Sequence, residues 1–207
     1  MVQTASVSFA YKLAYHTAPA LLGVKPANLF SLNRQEYDLE REIQKFRRNT
    51  ERQRLRIRVI CRCENRALLL VFRTDLMEEL LRDSKRRAVL IPFGYDESWD
   101  TEACLTRLSS RISNNAEFPH ETGIFLGYPP ADVLGFIRNQ GENCKLCGFW
   151  KVYDDLEQAR HTFAVYDQCR KALCGQLEQG QDLYQALPAF WSMQTERHMA
   201  AASAAKL

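Results

Sequence analysis

The chain has 207 residues, of which 46% are hydrophobic and 26% are charged, and its formal net charge is +3. This length and composition are typical of one folded domain and exclude a disordered chain. The small net charge gives no reason by itself to expect a polyanionic partner such as nucleic acid.

The apolar residues are too dispersed for a membrane span. No stretch approaches the roughly 20 apolar residues that a spanning helix needs, and the first residues lack the basic start and apolar run of a secretory signal. We therefore expect a cytoplasmic protein with no membrane partner. Its seven cysteines should then be reduced, so each is a core residue, a metal ligand or a redox group.

The chain begins with a predicted helix at residues 5–22. This helix is expected to stop before Pro19, because proline disfavours helical backbone in the residue that precedes it. His16 lies near the end of the helix, and Lys25 and Asn28 follow in a predicted loop.

A β-hairpin is the clearest prediction, and a charged amphipathic helix at residues 34–52 precedes it. From residue 55 to residue 63 the odd positions are apolar or cysteine, and most even positions are arginine. Because side chains alternate between the faces of a strand, one face should be apolar and the other should carry a row of arginines, among them Arg56 and Arg58. Residues 67–73 return as a second, almost wholly apolar strand.

The alternation has two consequences. Clustered arginines suit phosphates or an acidic protein, but the aromatic residues on which single-stranded bases would stack are missing, so nucleic acid is not expected. The alternative is a solvated face partly covered by acidic residues of the preceding helix. The same alternation places Cys61 and Cys63 in the core, where free cysteine behaves as a small apolar residue.

Four further helices are predicted from their apolar periodicity. They cover residues 75–82, 98–112 (with Ser98 as its N-cap), 154–179 and 182–197.

Residues 118–153 contain the densest group of candidate functional residues. Residues 123–126, framed by glycines, predict a short buried strand. The prolines at 129–130 open a helix that ends before Gly141, and residues 148–153 predict another strand. Neither GxGxxG nor GxxxxGK[ST] occurs, so a nucleotide is not implied.

These elements predict the α+β class. A single domain over residues 1–197 should contain a small, mostly antiparallel sheet, built from the hairpin at 55–73 and strands near 123–126 and 148–153. About six or seven helices pack against this sheet. Residues 198–207 are expected to be a disordered tail.

Cys144 and Cys147 form a Cys-x-x-Cys pair that a glycine follows directly. Two such thiols can bind one metal from a tight turn. A tetrahedral site needs two more ligands, for which Cys169 and Cys174 are candidates, although five positions on a helix place side chains about 140° apart. Zinc or an iron–sulfur cluster, a redox thiol pair, and plain structural cysteines all remain open.

A second hypothesis is acid–base catalysis by His120 and Glu121, since a carboxylate can tune a neighbouring imidazole towards neutrality. In this interpretation His16 and His120 share a cleft beside the Gly123–Gly127 turn, and Lys25 or an arginine holds an anionic substrate. The second His of a helical zinc-protease motif is missing, and no G-x-S-x-G motif occurs. A purely structural role for His120 is the alternative.

Two segments resemble a known family. They read YHTAPALLGVKPANLF and HETGIFLGYPPADVLGFIRNQGENCKLCGFWKVY. Over most of its length before about residue 180, the chain resembles the bacterial domain of unknown function numbered 3793. It departs from the family pattern at Thr17, where a cysteine is common, and at Cys144, where an aromatic residue is common.

The resemblance implies membership of the family and no particular activity. Members are typical of anaerobic bacteria and are often encoded beside flavodoxin-like or iron-handling proteins. This association favours a module that binds a metal or redox cofactor (zinc, iron–sulfur or a haem-type ligand) and has a flavodoxin-like or other acidic partner. The alternatives are the histidine-dependent enzyme and an adaptor that presents the arginine face. The resemblance marks these site positions: His16, Lys25, Asn28, His120, Glu121, Tyr128, Asp132, Cys147 and Trp150.

Overall fold

The computed structural model describes residues 8–114, 117–188 and 190–191. Its elements are α1 (Phe9–Leu21), β1 (Ala27–Asn33), α2 (Leu39–Thr50), β2 (Leu55–Arg62), β3 (Arg66–Arg73), α3 (Thr74–Arg82), α4 (Ser84–Leu90), α5 (Thr101–Asn114), α6 (Thr122–Phe125), α7 (Pro130–Arg138), β4 (Leu146–Cys147), β5 (Lys151–Val152) and α8 (Leu156–Glu178). Residues 183–188 and 190–191 are also helical. The predicted α+β class is confirmed. The predicted tail and the end of the last predicted helix lie outside the described residues.

Strand β3 is the centre of a three-stranded antiparallel sheet with the order β1–β3–β2. Ala67, Leu69 and Val71 face a core formed with α1, α2 and α8. Leu70 and Phe72 face a second core formed with α3 to α7. Because helices cover both faces of the sheet, β3 is apolar at nearly every position.

A β-bulge in β2 changes which residues are buried. The register against β3 shifts between Val59 and Cys61, and one extra residue reverses the facing of every side chain that follows. Ile60 is buried in the second core, the side that the even positions of β2 already face. Cys61 no longer follows Leu55 and Ile57 into the first core and is half-buried, while Cys63 is exposed. The prediction that both cysteines lie in the core was wrong, because alternation from Leu55 onwards assumes an unbroken strand.

Helix α1 continues through Pro19, contrary to the predicted end. Proline has no N–H, so the carbonyl of Tyr15 four residues earlier lacks its helical donor. Nε of Arg170, on α8, donates to that carbonyl at 3.1 Å. At the residue directly after the proline, Oδ1 of Asn28 accepts the N–H of Ala20 at 3.2 Å. Two tertiary contacts thus stabilise the helix around the proline, and Asn28 lies in β1, not in a loop.

Two predicted strands also differ from the structure. Residues 123–126 lie in and just after helix α6, because a short apolar run fits a buried helix as well as a buried strand. Residues 148–153 contribute only β5, which pairs with β4 in a separate hairpin. Helices α4 and α6 were not predicted as separate elements, so the described residues contain more helices than expected.

Helix α5 begins at Thr101, not at Ser98. The side chain of Asp100 accepts the N–H of Ala103 at 2.8 Å and so caps the first turn. The hydroxyl of Ser98 donates instead to Asp96 at 2.6 Å. Among the described residues no helix has both the length and the apolar character needed to cross a lipid bilayer.

The bulge can be tested by comparing two neighbouring truncations. Ile60→Ala should lower the free energy of unfolding by about 2–5 kcal/mol, because it leaves a cavity in the second core. Cys61→Ala should cost less than about 1 kcal/mol, because that side chain is only half-buried. Urea unfolding measures both variants, and a cost of about 2 kcal/mol or more for Cys61→Ala, typical of a core truncation, would contradict the bulged register.

Candidate functional site

A cavity of about 320 Å³ lies between α6, α7 and the β4–β5 hairpin. Its wall is mainly apolar and contains four aromatic side chains, namely Phe118, Tyr128, Phe136 and Trp150. Its polar lining residues are His120, Thr122, Asp132, Cys147 and Lys151. We call it the aromatic cavity.

Asp132, in the first turn of α7, fixes the hairpin that closes the aromatic cavity. Its Oδ2 accepts Nε1–H of Trp150 at 2.7 Å. Its Oδ1 accepts the backbone N–H groups of Tyr153 at 2.7 Å and Asp154 at 2.9 Å. The residue is only 3% exposed. A buried carboxylate needs such charge-assisted bonds, so Asp132 positions the wall and has little capacity left for a ligand.

The aromatic wall is itself held in place from behind. The rings of Tyr128 and Trp150 are stacked with centroids 5.0 Å apart, and Phe163 of α8 meets the Trp150 ring edge-on at 4.5 Å. The hydroxyl of Tyr128 donates to the carbonyl of Phe149 at 3.1 Å. A side chain at Gly148 would meet Phe163 at 2.1 Å, so the tight approach of the hairpin to α8 requires glycine there.

Thr122 is a buried polar residue of the cavity wall. It is 1% exposed, and its Oγ1 makes no hydrogen bond within the part of the chain that the structure describes. A buried hydroxyl without a partner costs about 1–3 kcal/mol. His120, which is exposed, packs its ring 4.9 Å from that of Phe136.

Lys151 and Cys147 face each other across the hairpin. Directly opposed residues of an antiparallel pair project to the same side, and both line the aromatic cavity. Nζ of Lys151 donates to the carbonyl of Gly141 at 2.6 Å and lies 5.9 Å from the Phe136 ring centroid.

Lys25 is a buried ammonium group behind this wall. It is 2% exposed, and its Nζ lies 5.0 Å from the ring centroid of Tyr128 and 5.4 Å from that of Tyr166. No carboxylate or hydrogen-bond acceptor for Nζ is found among the described residues. Two ring faces replace part of the lost hydration, and desolvation lowers the pKa of Lys25 to about 7.

Glu121 and His120 do not form the predicted acid–base pair. The buried carboxylate of Glu121 forms an ion pair with Arg111 of α5, and the hydroxyl of Tyr95 lies 3.5 Å from it. His120 instead lines the aromatic cavity. Adjacent residues at the start of α6 thus point in different directions, because the carboxylate has a cation to reach and the imidazole does not.

His16 lies elsewhere on the surface. It stacks on Phe30 with ring centroids 6.0 Å apart and does not line the aromatic cavity. Partial burial, followed by Lys12 and Arg170, lowers its pKa. The structure therefore does not bring His16 and His120 to one cleft.

The four candidate metal ligands are also separated. Cys169 and Cys174 are buried in the core between α1 and α8, whereas Cys147 is exposed at the aromatic cavity and Cys144 is half-buried beside it in sequence. Across residues 8–114, 117–188 and 190–191, no group of three or more His, Cys, Asp or Glu side chains is placed to hold a metal ion. The apolar stripe of α8 accounts for the two buried thiols.

The arginine row lies along an open groove between α2, β2 and α5. Arg56 donates to the carbonyl of its neighbour Leu55 at 2.9 Å, and Arg58 forms an ion pair with Glu102 of α5. Glu51 and two further glutamates line the same groove. Its surface is therefore of mixed charge, and partner binding there stays a prediction.

Among the cavity residues that the sequence did not predict are Thr122, Phe136 and Lys151. The position of Lys151 opposite Cys147 follows from the register of the hairpin. Strands of two residues are too short to show the alternation of apolar and polar residues from which a register is predicted. For Thr122 and Phe136 no local signal exists, because apolar spacing does not distinguish a cavity wall from a core.

Comparison with known proteins gives one match. The family model described as "Protein of unknown function (DUF3793)" matches residues 13–187, a range that contains every residue of the aromatic cavity. No curated protein and no solved structure matches the chain.

Asp132→Asn tests the anchoring of the hairpin. An amide has one oxygen, so its NH₂ group would face at least one of the three N–H donors, and the free energy of unfolding should fall by about 2–4 kcal/mol. Asp154→Asn is the matched control, since that side chain is exposed. This variant should change the free energy of unfolding by less than about 0.5 kcal/mol. Urea unfolding provides the comparison. Equal effects would show that the carboxylate of Asp132 is not the anchor.

Lys25→Met tests the buried charge through pH. Between about pH 7 and the ordinary pKa of 10.5, the folded protein has released the Lys25 proton and the unfolded chain has not. The unfolded state then binds more protons, so the stability of the wild type rises with pH over this window. The stability of the variant lacks this rise. Its free energy of unfolding should be a few kcal/mol higher than that of the wild type at pH 6, and this difference should shrink towards pH 10. A difference that is constant over pH 6–10 would contradict a buried ammonium.

Proposed function

We propose that this chain, which belongs to the family of proteins of unknown function DUF3793, binds a small molecule with a planar ring in the aromatic cavity. The observation that carries the proposal is a mainly apolar cavity walled by four aromatic side chains, with Lys151 as the cationic residue among its polar lining residues. Ligand sites are typically concave and mainly apolar, with a few polar groups that orient the ligand.

The size of the cavity favours a compact ligand. A volume of about 320 Å³ is at the lower end of the range of about 300–1,000 Å³ for small-molecule sites. Stacked or edge-to-face rings gain about 0.5–1.5 kcal/mol beyond area burial, and Tyr128, Trp150 and Phe136 supply ring surfaces on the cavity wall.

This proposal narrows the binding module expected from the sequence. Cys147 is the one member of the four-cysteine set that lines the aromatic cavity, so an organic ligand suits the donor set better than a metal ion. Zinc or iron–sulfur binding and a flavodoxin-like partner stay predictions.

A filled cavity provides the test. Two planar probes of nearly equal shape, 2-naphthamide and 2-naphthoate, are titrated into the protein by isothermal calorimetry. Leu126→Trp should weaken the binding of whichever probe binds the wild type by at least tenfold, because the indole occupies the cavity. Leu134→Trp is the control, since Leu134 is 41% exposed and does not line the cavity.

The controls decide between binding and misfolding. Thr122→Val keeps the shape of the side chain and removes the unpartnered hydroxyl, so it should weaken the probes less than Leu126→Trp does and unfold in one transition at a urea concentration no lower than that of the wild type. Absence of binding of both probes to the wild type, or equal binding by Leu126→Trp and Leu134→Trp, would overturn the proposal.

A further inference from the structure

We infer that the ligand of the aromatic cavity carries, beside its ring, a negatively charged group such as a carboxylate, and that the ammonium group of Lys151 binds it. This inference rests on the proposed function and specifies the class of molecule. It follows from the cations at the cavity wall and from the way in which the neighbouring carboxylates are used.

Lys151 has binding capacity left. An ammonium group has three N–H donors, and one of them is used by the carbonyl of Gly141 at 2.6 Å. Within the described part of the chain, Lys151 forms no ion pair with a carboxylate. The carbonyl bond holds Nζ near the cavity wall, so part of the entropy cost of ordering a lysine side chain is already met in the free protein.

The nearby carboxylates do not neutralise this charge. Asp132, which also lines the cavity, directs its two oxygens at three N–H groups of the hairpin. Glu121 is paired with Arg111 of α5 and does not line the cavity. The carboxylate charge of Asp132 is thus distributed over donors that cannot turn to the ligand, while the donors of Lys151 can.

A second cation lies behind the same wall. Lys25 stands over the ring of Tyr128, a lining residue, with no carboxylate partner among the residues described. Arg86 donates to the carbonyl of Tyr128 at 3.1 Å, although its charge is shared with Asp83 at 3.3 Å. Buried charges are screened less than exposed ones, so Lys25 adds to the attraction of an anion at the Tyr128 wall.

The polar lining also matches an acceptor group. Lys151 offers only donors, and the Thr122 hydroxyl has its own proton free to donate. An oxyanion that accepts from Lys151 therefore meets a donor that also carries the opposite charge. A neutral amide offers a single oxygen and no charge, and its NH₂ group would meet donors.

The experiment compares 2-naphthoate with 2-naphthamide at pH 7 and low salt, using the full chain. The wild type should bind the carboxylate at least tenfold more tightly. Lys151→Gln should abolish this preference, Lys151→Arg should retain it, and Lys25→Met should reduce it by a smaller factor. Lys145→Gln is the matched control, because Lys145 sits on the same hairpin, is exposed, and likewise donates to a backbone carbonyl, that of Asp154 at 2.7 Å.

The outcomes separate the two proposals. Equal affinity for the two probes, or tighter binding of the amide, overturns the charge inference and leaves the proposed function standing. A preference that survives in Lys151→Gln overturns the role of Lys151. Absence of binding of either probe overturns both proposals. An unchanged unfolding transition in Lys151→Arg and Lys145→Gln confirms that folding is intact in the comparison.

Discussion

The carboxylate of Asp132 joins the two parts of the candidate site. From the first turn of α7 it accepts one indole and two backbone N–H groups of the β4–β5 hairpin. The hairpin has only two paired residues in each strand, too few to be stable by themselves in water. Its position therefore depends on this carboxylate and on the packing of Trp150 against Tyr128 and Phe163. The aromatic cavity exists because the hairpin is held at that distance from α6 and α7.

Three buried charged groups near the cavity are stabilised in three different ways. Asp132 uses neutral N–H donors, and Glu121 uses the guanidinium of Arg111. Among the described residues, Lys25 has only the ring faces of Tyr128 and Tyr166. The third solution is the weakest, because a cation–π contact returns little of the hydration energy that burial removes. Burial without a counter-charge costs stability and is more typical of functional sites than of cores.

Tertiary contacts overrule local rules at two positions. Pro19 lies inside α1 because Arg170 of α8 donates to the Tyr15 carbonyl that the proline leaves without a helical donor, and Asn28 accepts the N–H of the next residue, Ala20. The bulge after Val59 turns Cys61 away from the first core, into which Leu55 and Ile57 point. In both cases the deciding partner is on another element, where the periodicity of one segment carries no information.

The sequence by itself determined the α+β class, the β2–β3 hairpin and the long helix α8, because alternation and helical spacing act over a few neighbouring residues. It also marked the segment that carries the cavity, through its density of glycine and aromatic residues. Only the tertiary structure decided that Tyr128 and Trp150 form a wall, that Glu121 turns to Arg111, and that the cysteines of α8 stay in the core. The physical reason is that the direction of a side chain depends on partners that folding brings near, and distances between segments are not encoded in any local pattern.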